Sequence, residues 1–121
     1  MRTTNHHPNI DIARNALRYG LMRARWDHEV IFDAELAFAE LLTNAWRHAG
    51  TTSPLIFVTL LGGTLRVAVS DESDALPNHR TPADFAESGR GLLLVDQLTH
   101  RWGIDPLRHG KTVWYELDSA A

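Results

Sequence analysis

The sequence predicts an α+β domain, a two-layer α/β sandwich in which helices cover one face of a mixed, mostly antiparallel sheet. The segment order predicts this: two helices, a hairpin, a polar loop, a short helix and two more strands. That order lacks the alternation of strands and helices that a parallel sheet requires. The length of 121 residues fits one domain covering residues 1–121.

Two amphipathic helices are predicted in the first part of the chain. Residues 1–8 are expected to be disordered, and the first helix should begin near Pro8 and Asn9, with Asn9 as its N-cap. Apolar residues at helical spacing extend it to about Arg25. A longer helix should cover about 27–49, because its apolar stripe continues until Gly50, a typical helix-ending residue.

The rest of the chain has the alternation and punctuation of short strands. Gly62 and Gly63 predict a tight hairpin turn, and Leu65, Val67 and Val69 on its second strand alternate with smaller or polar residues. The remaining predicted elements are strands at 55–61, 64–71, 101–105 and 111–117, and a short helix at 92–99. The polar segment 72–88 is long for a compact domain, which is typical of a lid over a binding site.

Composition excludes several functional classes. The net charge of −3 gives no basic surface for nucleic acid, whose phosphates supply most of the affinity of such complexes. The chain has no cysteine and no apolar run near the length of a membrane span, so we expect a cytoplasmic protein that binds neither DNA nor membranes. The one lysine, Lys111, lies in a segment that does not match the spacing of a P-loop.

Four polar residues share one face near the end of the second helix. The face begins with Glu40 and continues four, seven and eight residues later with Asn44, Arg47 and His48. A carboxylate one turn before a carboxamide can bring a metal-bound water and a reacting hydroxyl side by side. The alternative is a solvated stripe in which Glu40 pairs with Asn44 or Arg47.

Two further segments could contact a nucleotide. Asp71 ends an apolar strand, where its carboxylate could accept a hydrogen bond from an exocyclic amine; the alternative is an Asx turn that begins the loop. Gly89, Arg90 and Gly91 precede a helix, where backbone N–H groups can bind phosphate. The alternative for these glycines is an ordinary turn.

Taken together and in this order, the segments resemble the GHKL ATP-binding fold of gyrase, heat-shock chaperones, histidine kinases and mismatch-repair ATPases. The resemblance is strongest to the anti-sigma-factor serine/threonine kinases, in their actinobacterial single-domain branch, and it extends over residues 8–117. The segments that carry it are ELLTNAWRHA at 40–49, VAVSD at 67–71, GRGLLLV at 89–95 and GKTVW at 110–114.

The resemblance implies a site for ATP and Mg²⁺. It implies that Asn44 is the Mg²⁺ ligand, that Glu40 is the base that takes the proton from a substrate serine, and that Asp71 binds the adenine amino group. Thr112 would support the adenine contact, and residues 72–88 would form the ATP lid. The full set of residues that it assigns to the nucleotide is Asn44, Arg47, His48, Asp71, Ser73, Gly89, Arg90, Gly91, Leu92 and Thr112.

The implied function is regulation of transcription by a protein serine kinase. Such a protein binds a sigma factor and phosphorylates an anti-anti-sigma protein of the STAS type, and family members often form homodimers. Glycines of the family pattern are missing here in two places: the segment 71–75 has none, with Ser73 at the place of the first, and Leu93 replaces the third glycine of the phosphate loop. The alternative is therefore an interaction module of the same fold, with weak or no nucleotide binding and no kinase activity.

Overall fold

Three helices and four strands make up the part of the chain that the structure, a computed structural model, describes: residues 8–49, 54–71 and 92–119. The elements are α1 (Pro8–Arg23), α2 (His28–Ala49), β1 (Leu55–Leu61), β2 (Thr64–Ser70), α3 (92–98), β3 (Arg101–Pro106) and β4 (Lys111–Asp118). The strands form one sheet in the order β1-β2-β4-β3, and each of its three pairings is antiparallel. The predicted α+β class is confirmed.

Most element bounds agree with the sequence predictions to within two residues, and one capping prediction is wrong. Helix α1 begins at Pro8, so Asn9 lies inside its first turn and is not the N-cap. Proline is favoured at this position because its φ angle is already helical and the missing N–H would have no helical acceptor. Residues 1–7, Gly50 and the predicted lid at 72–88 lie outside the described residues.

The hairpin between β1 and β2 turns as predicted. Gly62 and Gly63 both have positive φ angles, 61° and 82°, which match the two-residue turn that suits the twist of a hairpin. The register brings Leu61 opposite Thr64 and continues in step to Leu55 opposite Ser70. On β2 this alternation directs Leu65, Val67 and Val69 to the same face of the sheet.

The hydrophobic core lies between this face of the sheet and the helices. Its buried side chains come from α1, α2, α3, β2 and β4: Leu17, Leu21, Ile31, Ala34, Ala37, Phe38, Leu41, Ala45, Leu65, Val67, Val69, Leu92, Val95, Val113, Tyr115 and Leu117. The Tyr115 hydroxyl donates a hydrogen bond of 2.6 Å to the carbonyl of Ala34, which ties β4 to α2. Burial raises the pKa of Tyr115, so the phenol keeps its proton.

The opposite face of the sheet carries an ion-pair network. Arg101 donates to Glu116 and Asp118, each at 2.6 Å, and Arg66 donates to Glu116 at 3.0 Å. The Arg66 guanidinium also lies 4.3 Å from the centre of the Trp114 ring. These contacts bridge β2, β4 and β3 on the face that the helices leave uncovered.

This network predicts how folding stability responds to acid. Hydrogen bonds from Arg101 lower the pKa of Asp118 from its ordinary 3.8 to about 2, and they also lower that of Glu116. Carboxylates with a lower pKa in the folded state stabilise the protein above their unfolded pKa, and this contribution is lost as the pH falls toward the folded value. We expect urea denaturation to show stability falling between about pH 4.5 and 2, with a smaller fall in Arg101→Gln.

Arg14→Gln is the control for this prediction, because Arg14 is exposed on α1 and has no acidic partner among the described residues. This variant should keep the wild-type fall in stability. An equally steep fall in Arg101→Gln would contradict the assignment of the acid response to the network on β3 and β4.

Candidate functional site

Helix α2 begins near the β1–β2 hairpin. The turn between α1 and α2, at Trp26 and Asp27, and the hairpin, at Leu60 and Gly63, line one cavity of about 470 Å³. Since β2 also begins at this hairpin, the start of α2 and the start of β2 lie at the same end of the sheet. The end of α2 is therefore directed toward the end of β2.

Asn44 and Asp71 reach that far end together. The Ala34 carbonyl on α2 is hydrogen-bonded to Tyr115, which is opposite Val67 on β2. Ala34 and Val67 therefore lie at about the same position along the helix–sheet layer. Asn44 is about 15 Å beyond Ala34 along the helix, at the usual rise per residue. Asp71 lies about 13 Å further along the strand direction. The tertiary structure thus brings these two predicted site residues to one end of the helix–sheet layer.

Asn44 is a buried polar residue on the core-facing side of α2. It is 6% exposed and continues the stripe that includes Leu41 and Ala45. Its Oδ1 atom is buried and has no hydrogen-bond partner among the described residues, whereas buried polar atoms are paired in the great majority of cases. An uncharged oxygen left without a donor in this way is suited to bind a cation.

The Asn44 oxygen fits Mg²⁺, the cofactor implied by the resemblance. Mg²⁺ prefers oxygen ligands and is usually held by one or two protein groups, with phosphates and water completing its shell. The described residues contain no cluster of three His, Cys, Asp or Glu side chains that could bind a metal ion by themselves. A single carboxamide that binds the ion together with the phosphates of a nucleotide agrees with this ligand preference and with the lack of such a cluster among the described residues.

Glu40 lies one helical turn before Asn44 and is half-buried. Within the described ranges its carboxylate makes no hydrogen bond or ion pair, and neither does the exposed guanidinium of Arg47. The alternative in which Glu40 pairs with Asn44 or Arg47 is therefore wrong for the described structure. The Glu40 carboxylate is available to accept a proton beside Asn44.

Asp71 is engaged by a residue that sequence reasoning did not place here. Its Oδ1 accepts a hydrogen bond of 2.9 Å from the backbone N–H of Lys111, and its Oδ2 accepts one of 3.1 Å from the Lys111 ammonium. The Asp71 and Lys111 side chains are 2% and 4% exposed, so this is a buried ion pair. One signal was present in the sequence: Lys111 has the inward register of Val113 and Tyr115, and a buried lysine needs an acidic partner.

Gly110 makes this close arrangement sterically feasible. Its φ angle is +100°, and a Cβ atom built on it would overlap the carbonyl oxygen and Oδ1 of Asp71. The backbone of β4 can therefore approach the aspartate only without a side chain at this position.

Thr112 does not share the surroundings of Asp71. It is opposite Ser70 in the register, and its hydroxyl donates a hydrogen bond of 3.2 Å to the Ser70 hydroxyl. Since adjacent residues on a strand point to opposite faces, Thr112 lies on the outer face while Asp71 and Lys111 lie on the inner one. The structure thus gives Lys111, and not Thr112, the contact with the aspartate.

The predicted phosphate-binding residues are described only in part. Ser73, Gly89, Arg90 and Gly91 lie outside the described residues, and so does the His48 side chain, although its backbone is helical. Leu92 begins α3, and its side chain is buried in the core. Their assignment to the nucleotide stays a prediction.

The fold is a two-layer sandwich with a buried carboxamide and a strand-end carboxylate at one end, which agrees with a GHKL-type ATP-binding domain. The family model of the histidine kinase-like ATPase domain matches residues 5–116, and the chain belongs to that family. Domains of this family bind ATP, usually with Mg²⁺. A search of curated proteins found no match. Over the described ranges, no helix has the length and apolar character needed to cross a membrane.

Proposed function

We propose that this chain is a protein serine kinase of the anti-sigma-factor type, using ATP and Mg²⁺. In this proposal it acts in the cytoplasm, binds a sigma factor and phosphorylates a serine on an anti-anti-sigma protein of the STAS type. The observation that carries the proposal is the pair on α2: the Glu40 carboxylate lies one turn before the buried Asn44 oxygen, and neither has a partner in the part of the chain that the structure describes. The choice of partners, and a homodimer as an arrangement, rest on the resemblance of the motifs.

The roles of the two residues follow from their chemistry. Bound Mg²⁺ would neutralise charge on the ATP phosphates, and Asn44 Oδ1 is the protein atom that would hold it. Glu40 would accept the proton of the serine hydroxyl on a carboxylate oxygen and orient that hydroxyl toward the γ-phosphate. A carboxylate already paired with an arginine would be a weaker base, so the lack of a partner for Glu40 within the described structure supports this role.

Glu40→Gln is expected to reduce phosphorylation of the substrate without reducing the affinity for ATP. The amide has nearly the same shape but cannot take up the proton, so we expect phosphorylation of a STAS-domain substrate to fall at least about a hundredfold. Affinity for Mg-ATP, measured by calorimetry, should stay within about threefold because Glu40 is not assigned to the nucleotide. Glu29→Gln, an exposed change in the first turn of α2, is the matched control and should leave both quantities unchanged.

If Glu40→Gln phosphorylated the STAS-domain substrate at the wild-type rate, this result would contradict the proposed role of Glu40 as the base. Loss of ATP binding in this variant would instead assign Glu40 to the nucleotide or the metal. Trp46 gives a second readout of binding, because it is 60% exposed and lies two residues after Asn44.

One observation favours the second candidate, an interaction module without kinase activity. Both oxygens of Asp71 accept hydrogen bonds from Lys111 and the Asp71 side chain is only 2% exposed, so the group assigned to adenine is not open in this structure. Thermal unfolding with and without millimolar Mg-ATP separates the candidates, since a ligand of the folded state raises the melting temperature. A shift favours the kinase proposal, and no shift favours the interaction module.

A further inference from the structure

The two members of the Asp71–Lys111 pair are attached to the fold in different ways. Asp71 is attached to β4 by its backbone, because its N–H donates a 3.0 Å hydrogen bond to the Lys111 carbonyl. The Lys111 N–H returns a bond of 2.9 Å to Oδ1, and Gly110 packs directly against the aspartate. The carboxylate is therefore held in place, whereas the ammonium that binds Oδ2 is at the end of a flexible four-carbon chain.

An exocyclic amine of a base that approached Asp71 would have to use Oδ2, because Oδ1 packs against Gly110 and accepts the Lys111 N–H. A carboxylate oxygen can accept two donors, but at this buried position the ammonium and the amine would be crowded on the same atom. Both groups are hydrogen-bond donors, and the ammonium also carries a full positive charge. Two donors directed at one oxygen repel each other, and the repulsion is stronger where the site excludes water. At 2% and 4% exposure, the Asp71–Lys111 pair is in such a place.

We infer that Lys111 sets the affinity and base selectivity of the proposed nucleotide site by competing with the exocyclic amine of adenine for Oδ2 of Asp71. This inference rests on the proposed function, because it concerns how that site takes its nucleotide. Adenine gains the aspartate only when the ion pair opens. The apparent affinity is therefore the intrinsic affinity multiplied by the fraction of molecules in which the pair is open.

This competition has a consequence for wild-type selectivity. The gain from contacting Asp71 is offset by the loss of the ion pair, so the amine of ATP contributes little to binding. Purine riboside triphosphate, which lacks only that amine, should bind the wild-type protein within about threefold of ATP. Calorimetry with each nucleotide in the presence of Mg²⁺ measures this difference without any substitution.

Lys111→Met tests the competition directly, because methionine keeps much of the apolar stem and removes the ammonium. We expect it to bind ATP at least about tenfold tighter than the wild type. Its affinity for purine riboside triphosphate should change by less than about threefold, because the effect requires both the lysine and the amine. Lys111→Arg, which keeps the positive charge, is the matched control and should show no gain in ATP affinity over the wild type.

Folding stability supplies an independent readout. Without nucleotide, Lys111→Met should unfold at a lower temperature than the wild type, because Asp71 is left buried without its ion-pair partner. Saturating ATP should raise its melting temperature by more than it raises that of the wild type, whereas purine riboside triphosphate should raise the two by similar amounts.

Several results would overturn the inference while leaving the proposed function intact. One is weaker or unchanged ATP binding by Lys111→Met, which would mean that the lysine contacts the nucleotide favourably or does not affect it. Another is a wild-type preference of more than about tenfold for ATP over purine riboside triphosphate, which decides the matter even if the variant does not fold. Failure of the wild type and all variants to bind either nucleotide would overturn this inference together with the proposed function.

Discussion

Asn44→Ala is expected to abolish Mg-dependent ATP binding, with no heat of binding detected by calorimetry at nucleotide concentrations that saturate the wild type. The change removes the only protein oxygen that is assigned to Mg²⁺. Without the metal ion, the negative charge of the ATP phosphates would not be neutralised in the site. Serine phosphorylation should disappear with binding. This makes Asn44→Ala different from Glu40→Gln, in which binding is expected to remain.

Folding should tolerate the Asn44→Ala change. Replacing a buried side chain usually costs stability, but Oδ1 of Asn44 makes no hydrogen bond within residues 8–49, 54–71 and 92–119. Alanine also favours the helix, so we expect the free energy of unfolding to stay within about 1 kcal/mol of the wild type. Asn15→Ala, the same change at an exposed position of α1, is the control and should bind ATP normally. ATP binding by Asn44→Ala at wild-type strength would show that the metal assignment is wrong.

Gly110→Ala is expected to be the most damaging single substitution for the fold that we predict. The new Cβ would overlap the carbonyl oxygen and Oδ1 of Asp71, and the φ angle of +100° is strained for any residue with a side chain. Backbone strain and overpacking together should lower the free energy of unfolding by about 3–5 kcal/mol, measured by urea denaturation. Loss of this magnitude is enough to unfold many small domains.

Gly20→Ala is the matched control, because it makes the same chemical change at a glycine of α1 with nothing within 4 Å of the added atom. It should instead raise the free energy of unfolding by about 0.5–1 kcal/mol, since alanine restricts the unfolded chain and favours the helix. Equal effects of the two substitutions would contradict the packing of Gly110 against Asp71.

Local patterns explain why so much of the fold was predictable. The stripe on α2 and the Gly62–Gly63 turn depend on residues a few positions apart, so their signals are complete within the element. The same holds for Glu40 and Asn44, because a four-residue spacing places two side chains one turn apart on any helix. The exception at Asn9 is also local: the proline before it provides an alternative way to begin a helix.

The surroundings of Asp71 could not be predicted in the same way. Its partner, Lys111, is 40 residues away, on a strand that is adjacent to β2 in space but not in the chain. The resemblance assigns the supporting role at this site to the next residue, Thr112. Its side chain lies on the other face of the sheet, because the side chains of a strand alternate. Only the register between β2 and β4 distinguishes the two possibilities.

The amino-acid sequence by itself determined the elements, their α+β arrangement and the helix that carries Glu40 and Asn44, since each depends on short-range periodicity. Only the tertiary structure decided that the Asn44 oxygen is buried, with no partner in the described part of the chain, and that Asp71 is held by Lys111. Burial and cross-strand pairing arise when distant segments exclude water from each other, and no local pattern records which polar groups meet there.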